Sequence, residues 1–253
     1  MFTLQKSGTA ALLAALIFCL SLSTGVSAVY GDITTFLAWS DNTYGNNEIF
    51  LKKSTDSGTT WQFQRLTNNT GNSQNPSIVT NGSNIYVVWQ DDTYITGVPE
   101  ILLKKSTDNG GTWTFTRLTN NNGISTNPSI ATDGANIYLI WSDTTYGNSE
   151  ILFKKSTDAG NTWSATQRMT YNSGLSTTPV IETNGSNIYL AWADNTYGNN
   201  EILLKKSTDS GATWQFTRIT NNTGISQNPS IAINGNNIYL AWSDTTYGNN
   251  EIL

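Results

Sequence analysis

The stretch STDNGGTW at residues 106–113 occurs in four near copies, and these copies decide the fold. The copies read STDSGTTW (54–61), STDNGGTW (106–113), STDAGNTW (156–163) and STDSGATW (207–214). In each copy an Asp is placed to accept backbone N–H groups across a turn, a Gly permits a left-handed conformation, and we expect the Trp to cover the turn. We therefore assign a structural role to Asp56, Gly58, Trp61, Asp108, Gly110, Trp113, Asp158, Gly160, Trp163, Asp209, Gly211 and Trp214.

The whole chain after residue 30 repeats with the same period. One tryptophan series recurs at spacings of 50, 52, 51 and 50 residues and a second at 52, 50 and 51. Together the two series account for all nine tryptophans: Trp39, Trp89, Trp141, Trp192, Trp242 and Trp61, Trp113, Trp163, Trp214. A period near 50 residues is typical of a propeller, a solenoid or an array.

Each repeat contains four predicted strands. In the first repeat we place strand c at residues 49–53 and strand d at 61–67. In the second repeat we place strand a at residues 76–80 and strand b at 85–89, with Asn81-Gly82 as the hairpin turn between them. Both faces of strand b are apolar, so we expect both to be buried. The pattern predicts an all-β propeller of four-stranded antiparallel blades. A β-solenoid and separate small sheets are the alternatives.

The number of blades is about five. The first repeat has no evident strand a, and the last stops at 251–253, inside strand c. We therefore expect incomplete first and last blades. The chain is either an open arc or a fragment of a longer product.

Composition excludes several classes of function. Charged residues make up only 12% of the 253-residue chain, its pI is near 4.6, and there is no His. The acidic balance argues against nucleic-acid binding, which needs clustered Lys and Arg. The only Cys, Cys19, lies in the apolar N-terminal stretch, so zinc sites of His or Cys, Ser-His-Asp triads and Cys nucleophiles are excluded.

Residues 1–28 are predicted to be a secretory signal peptide, and residues 29–253 the propeller. Lys6 supplies a positive start, residues 10–22 are apolar, and Val26-Ser27-Ala28 fits a cleavage site. Cleavage leaves 12 basic and 18 acidic residues, a net charge of −6. We expect a secreted or cell-surface protein with no membrane span after cleavage. Sequons for N-glycosylation lie at Asn68, Asn81, Asn184 and Asn221.

The four turn motifs resemble the Asp-box, or BNR, repeat of the sialidase superfamily of β-propellers. The resemblance covers nearly all of the predicted mature chain. It implies a propeller in which the Asp box is structural and lies away from the active site. Catalysis in that family uses three arginines, a Tyr–Glu pair and an acid/base Asp. The arginines here do not fit, because all four lie at equivalent positions of strand d: Arg65, Arg117, Arg168 and Arg218.

The candidate ligand site is a repeated loop between strands b and c. It carries tyrosines in register at Tyr44, Tyr94, Tyr146, Tyr197 and Tyr247. An aromatic ring can stack on a sugar face while Asn and Asp bind its hydroxyls. The alternative is that each Tyr merely packs its loop.

Three further groups have competing interpretations. Glu182, which replaces a small residue in a predicted inner strand, is either a solvated channel carboxylate or a catalytic one without a partner carboxylate. Asp41, Asn42 and Glu48 offer oxygen ligands for calcium, but turn capping explains the Asp equally well, so we expect no cofactor. The paired lysines are interpreted as outer-strand charges that prevent edge pairing.

The sequence favours a non-catalytic propeller that binds a carbohydrate or an extracellular protein. The alternative is a sialidase-like exo-glycosidase whose catalytic residues lie partly outside this chain.

Overall fold

The structure is a computed structural model that describes residues 27–30 and 34–253, with side chains described from residue 34 onward. The predicted signal peptide lies outside the described residues except for Ser27 and Ala28, which belong to the first strand.

The described chain forms five antiparallel sheets, which we call blades 1 to 5. Blade 1 contains β1 (Ser27–Tyr30), β2 (Thr35–Asp41), β3 (Glu48–Ser54) and β4 (Gln62–Arg65). Blade 2 contains β5 (Ser73–Asn81), β6 (Asn84–Asp91), β7 (Glu100–Ser106) and β8 (Thr114–Arg117). Blade 3 contains β9 (Ser125–Thr132), β10 (Ile137–Asp143), β11 (Glu150–Ser156) and β12 (Gln167–Arg168). Blade 4 contains β13 (Ser176–Asn184), β14 (Asn187–Asp194), β15 (Glu201–Ser207) and β16 (Gln215–Arg218). Blade 5 contains β17 (Ser226–Asn234), β18 (Asn237–Asp244) and β19 (Glu251–Ile252).

The sheets are arranged as the blades of a β-propeller, which confirms the predicted fold class. The first strand of each blade packs against the first strand of the next, in the order β1, β5, β9, β13 and β17. The described residues include no helix, and hence none that could cross a membrane. The four arginines lie in the outermost strands of blades 1 to 4, as predicted.

The first blade is more complete than the sequence indicates. Its sequence contains no copy of the inner-strand pattern, yet β1 pairs with β2 over four residues, from Ser27 opposite Ala38 to Tyr30 opposite Thr35. Strand pairing requires only backbone donors and acceptors, so an inner strand can form without the repeated side chains. Blade 5 has three strands and is incomplete, as expected.

The hydrophobic core consists of layers between successive blades. The second strand of a blade contributes both of its faces. In blade 2, Val87 and Trp89 pack toward blade 1, whereas Tyr86 and Val88 pack toward blade 3. Equivalent clusters join blades 3 and 4 and blades 4 and 5. This arrangement explains why strand b is apolar on both faces.

The repeated Asp-containing turns are closed by hydrogen bonds within their own blade. In blade 3, Asp158 Oδ1 accepts from Thr162 N and Ser156 Oγ, at 2.8 Å each. The turn also needs two consecutive residues with positive φ, Ala159 and Gly160. It lies beside the hairpin of strands a and b, because Ala159 N donates to Ala135 O at 2.8 Å. Both features therefore share one rim of the propeller, as predicted.

The tryptophans of the turns in blades 2 to 4 pack between blades. Trp113 packs against the cluster joining blades 1 and 2, Trp163 against that joining blades 2 and 3, and Trp214 against that joining blades 3 and 4. The ring of Trp214 meets Phe153 of blade 3 edge-on at 5.6 Å. Tyr86 of blade 2 adds a hydrogen bond from its hydroxyl to Ala159 O of blade 3.

The interpretation of the lysine pairs as edge-protecting charges is wrong. They lie in the third strands of blades 1 to 4, inside the fourth strands, and one lysine of each pair in blades 2 to 4 binds the preceding blade. Lys154 Nζ donates to Leu118 O of blade 2 at 2.8 Å, and Lys205 Nζ donates to Met169 O of blade 3 at 2.6 Å. Lys104 makes the same bond to Leu66 O of blade 1. Burial lowers the pKa of Lys104, Lys154 and Lys205. These lysines are therefore cross-links between blades.

We expect Asp158→Ala to lower the melting temperature at pH 7, because Thr162 and Ser156 lose their acceptor. Hydrogen bonds, first from Thr162 and then from Ser156, lower the pKa of Asp158 from 3.8 to about 2. A lowered pKa in the folded state contributes stability above the unfolded pKa and loses it as pH falls through the folded pKa. The difference between wild type and variant should therefore be full above about pH 4 and vanish toward pH 2.

Thermal unfolding followed by circular dichroism across this pH range measures the effect. Thr166→Ala, an exposed residue of the same blade, is the control and should melt like wild type. Equal melting temperatures for Asp158→Ala and wild type at pH 7 would contradict the assigned role.

Candidate functional site

The loops that join strand d to strand a and strand b to strand c lie together on the other rim. Asn72 N, between blades 1 and 2, donates to Asp92 Oδ1 at 2.5 Å. Gly71 lies so close to Thr93 that an added Cβ would be 2.3 Å from the backbone nitrogen of Thr93. The same contact recurs between Gly123 and Thr145, Gly174 and Thr196, and Gly224 and Thr246. Glycine is therefore needed at these positions to bring the loops into contact.

A buried aspartate organises each pair of loops. Asp91 Oδ2 accepts from Trp89 Nε1 at 3.0 Å and from Ser73 Oγ at 2.6 Å, and Oδ1 accepts from Thr93 N at 2.9 Å. Burial alone would raise the pKa of Asp91, but the hydrogen bonds from Ser73, Thr93 and Trp89 outweigh it and the pKa is lowered. Equivalent networks surround Asp143, Asp194 and Asp244. These carboxylates are occupied in holding the loops.

The arginines form partly buried ion pairs at the outer side of the same rim. The Nη2 atom of each donates to a buried glutamate at the start of the third strand of its blade. The pairs are Arg65–Glu48 at 2.8 Å, Arg117–Glu100 at 3.1 Å, Arg168–Glu150 at 2.5 Å and Arg218–Glu201 at 2.9 Å. None of these glutamates is available to a ligand, because all are at most 1% exposed.

The predicted ligand-binding tyrosines stack on these arginines. The guanidinium carbon lies above the ring centroid of Tyr44, Tyr94, Tyr146 and Tyr197 at 4.8, 4.1, 4.6 and 4.2 Å, respectively. The four tyrosines remain 47–59% exposed. Tyr247 is 70% exposed and has no equivalent partner, since Arg218 is the last arginine in the chain. The tyrosines thus lie over the outer strands, away from the propeller axis.

Blade 3 carries an additional aromatic platform. Tyr171 also lies 4.6 Å from the guanidinium carbon of Arg168, the same distance as Tyr146. Its side chain is 73% exposed. The sequence marks Tyr171 because the other repeats have Asn at this position: Asn68, Asn120 and Asn221.

A surface cavity of about 220 Å³ adjoins one of these tyrosines. It lies between blades 1 and 2, and Tyr94 and Phe115 provide its aromatic surface. Asn68 of the preceding loop provides an amide group and Lys104 also lines the cavity, whereas the amide of Asn69 is held by Asp91 and Gly71. The cavity therefore combines aromatic faces with hydrogen-bonding groups, as a sugar-binding surface requires.

Glu182 lies in the inner strand β13, opposite Tyr189 of β14. Its side chain reaches solvent, yet the surrounding protein desolvates it and raises its pKa to about 7. Burial, and not a neighbouring carboxylate, causes this rise, and the described residues contain no group of three or more metal-binding side chains. Asp41 Oδ1 accepts a hydrogen bond from Thr43 N at 2.7 Å and so caps its own loop. This contact is the turn capping that we gave as the alternative to a calcium site.

The sequence interpretation missed a polar group near the axis. A proline recurs in the inner strands of blades 2 to 5, at Pro76, Pro128, Pro179 and Pro229. A β-bulge interrupts each of these strands beside the proline, and the residue before it has positive φ: Asn75, Asn127, Thr178 and Asn228. Asn75 Nδ2 donates to Asn127 Oδ1 of the next blade at 3.1 Å. The signal was the repeated Asn-Pro, which departs to Thr-Pro only at Thr178. A Thr in this conformation is strained, because β-branched residues rarely adopt positive φ.

Comparisons with known proteins identify the fold and no family. No protein-family model matches the chain, and no curated protein matches it. Among solved structures, a Bacillus subtilis arabinanase has a TM-score of 0.53 at 13% identity, covering 90% of this chain and 91% of that one. An α-L-arabinofuranosidase of Fusarium graminearum has a TM-score of 0.63 at 15% identity, covering 87% and 76%. A Trypanosoma rangeli sialidase has a TM-score of 0.61 at 15% identity, covering 86% of this chain and 43% of that one. These neighbours are β-propeller enzymes.

We expect Arg168→Met to destabilise the fold by about 3 kcal/mol, because it leaves Glu150 as an unpaired buried charge. Urea unfolding measures the change. The double variant Arg168→Met, Glu150→Gln should recover much of the loss, since the unpaired charge is gone. A single variant as stable as wild type would show that the ion pair does not support the rim.

We expect Glu182→Ala, which installs the residue found at Ala131 and Ala232, to stabilise the protein at pH 8. The folded-state pKa of Glu182 is raised from 4.5 to about 7, so the folded protein loses stability as pH rises through this range. Wild type and variant should differ least below about pH 4.5. Melting temperatures that differ by the same amount at pH 4 and pH 8 would contradict this effect.

Proposed function

We propose that the chain is a secreted, non-catalytic propeller of the Asp-box type that binds glycans through its rim tyrosines. The observation that carries the proposal is the stack of Tyr on Arg in blades 1 to 4. The arginine fixes one face of the ring and leaves the opposite face to solvent. A fixed aromatic face loses little conformational entropy when it binds, which favours affinity.

The surroundings of the tyrosines support a sugar ligand. Tyr94 borders the cavity between blades 1 and 2, where Asn68 is placed to bind a hydroxyl group. Lys104 donates one of its N–H groups to Leu66 O, so it is held in place beside the cavity. Several equivalent weak sites on one rim favour a repetitive glycan, because multivalent contact raises the overall affinity.

Most carboxylates of the rim are already paired with donors of the protein, which supports glycan binding without hydrolysis. A glycosidase of the usual type needs two carboxyl groups on either side of the scissile bond. The glutamates Glu48, Glu100, Glu150 and Glu201 are neutralised by arginines. The aspartates of the rim are held by Trp, Ser and Thr donors, as at Asp91. The pKa of Glu182 is raised by burial and not by a second carboxylate.

A glycoside hydrolase remains the second candidate. The raised pKa of Glu182 is what a general acid requires, and the structural neighbours include an arabinanase and a sialidase. We expect no product from fluorogenic arabinofuranosides or sialosides incubated with the purified protein. Turnover that Glu182→Gln abolishes would establish this second candidate and refute the first.

Glycan-array screening followed by calorimetry tests the proposed binding. We expect Tyr94→Ala to weaken binding to a short ligand at its site roughly tenfold, the scale of one lost aromatic contact. Tyr94→Phe is the matched control and should bind like wild type, because the ring is retained. Both variants should melt within a few degrees of wild type. Equal affinity for Tyr94→Ala and wild type would show that the tyrosine only packs its loop.

A further inference from the structure

Each interface between blades joins two distinct faces. We call the face that a blade turns toward the preceding blade its front and the face toward the following blade its rear. In blade 4 the rear face includes Tyr189 and Ala191. They pack in one cluster with Leu240 and Trp242, which belong to the front face of blade 5. A Tyr-x-Ala sequence on one rear face is therefore matched to a Leu-x-Trp sequence on the next front face.

The same front-face sequence is incompletely covered on blade 1. Leu37 and Trp39 lie on the face of β2 opposite Phe36 and Ala38, which pack toward blade 2. Both are partly exposed, whereas the equivalent tryptophans of blades 2 to 4 are at most 1% exposed. Trp39 stacks on Phe50 with 5.8 Å between ring centroids, so the face is an ordered aromatic surface.

The same rear-face sequence is uncovered on blade 5. Tyr239 and Ala241 repeat the Tyr-x-Ala pattern of Tyr189 and Ala191. Tyr239 is 56% exposed, whereas Tyr189 is 6% exposed. The four hydrophobic clusters of the described residues join blades 1–2, 2–3, 3–4 and 4–5, and none of them joins blade 5 to blade 1.

We propose that the rear face of blade 5 in one copy of the chain docks on the front face of blade 1 in a second copy. The contact continues the interface already present between blades 4 and 5, with the same residue types on both sides. Because the two docking faces differ, the contact is head-to-tail, and it leads to a ring or a filament according to whether the rotation closes.

Two variants and their mixture test the proposal by sedimentation velocity. We expect the wild-type chain to associate as its concentration rises. Trp39→Glu places a charge in the front face of blade 1, and Tyr239→Glu places one in the rear face of blade 5. Each variant alone should therefore be monomeric. An equimolar mixture of the two should form dimers and nothing larger. The intact rear face of the Trp39→Glu variant can bind the intact front face of the Tyr239→Glu variant, and neither copy can bind a further one.

Two controls distinguish this outcome from unfolding and from nonspecific hydrophobic association. Both variants should keep the wild-type circular dichroism spectrum. Phe216→Glu, which alters an exposed aromatic residue on the outer strand of blade 4, should associate like wild type. A wild-type chain that stays monomeric at its highest soluble concentration would overturn the proposal. So would a mixture of the two folded variants that forms no dimer.

Discussion

The burial of strand b between two neighbouring blades is the constraint on which the rest of the structure depends. Its side chains alternate between two faces, and each face is covered only when another blade lies against it. In β10, for example, Tyr138 and Ile140 lie in one interblade cluster, and Leu139 and Trp141 in the other. A single four-stranded sheet would expose the apolar side chains of both faces to solvent, so one repeat cannot form a stable unit without its neighbours.

The polar groups follow from the same constraint. Buried polar groups must be paired, and the chain meets this demand by using its few charges within or between blades. Lys154 crosses to Leu118 O of the preceding blade, and Glu150 is neutralised by Arg168 of its own blade. With charged residues at only 12% of the chain, few remain on the surface. The exposed rim is consequently built of Asn, Thr, Tyr and Gly, which suits reversible binding of a polar, uncharged ligand.

The sequence predicted the parts of the structure that depend on repeated side chains. The tryptophan period predicted the blades, and the Asn81-Gly82 turn predicted the hairpin between strands a and b. The apolar residues on both sides of strand b predicted its two buried faces. Strand β1 was missed because its pairing with β2 is made by backbone atoms, which leave no residue pattern. The lysine cross-links were missed because a single strand cannot reveal which neighbour its side chain reaches. The stack of Tyr94 on Arg117 joins a loop residue to the outer strand of the same blade, and sequence spacing alone could not bring them together.

Hydrogen exchange measured by mass spectrometry or NMR tests most directly whether contact between blades determines stability. The strands β6, β10 and β14 have a neighbouring blade on each face, whereas β18 has one only on its front face. If interblade burial controls opening, amides in β6, β10 and β14 should exchange slowly and at similar rates, and those in β18 should exchange much faster under conditions where the chain is monomeric. Equal protection of β18 and β10 would show that each blade is stable through its own hydrogen bonds, and would contradict the account.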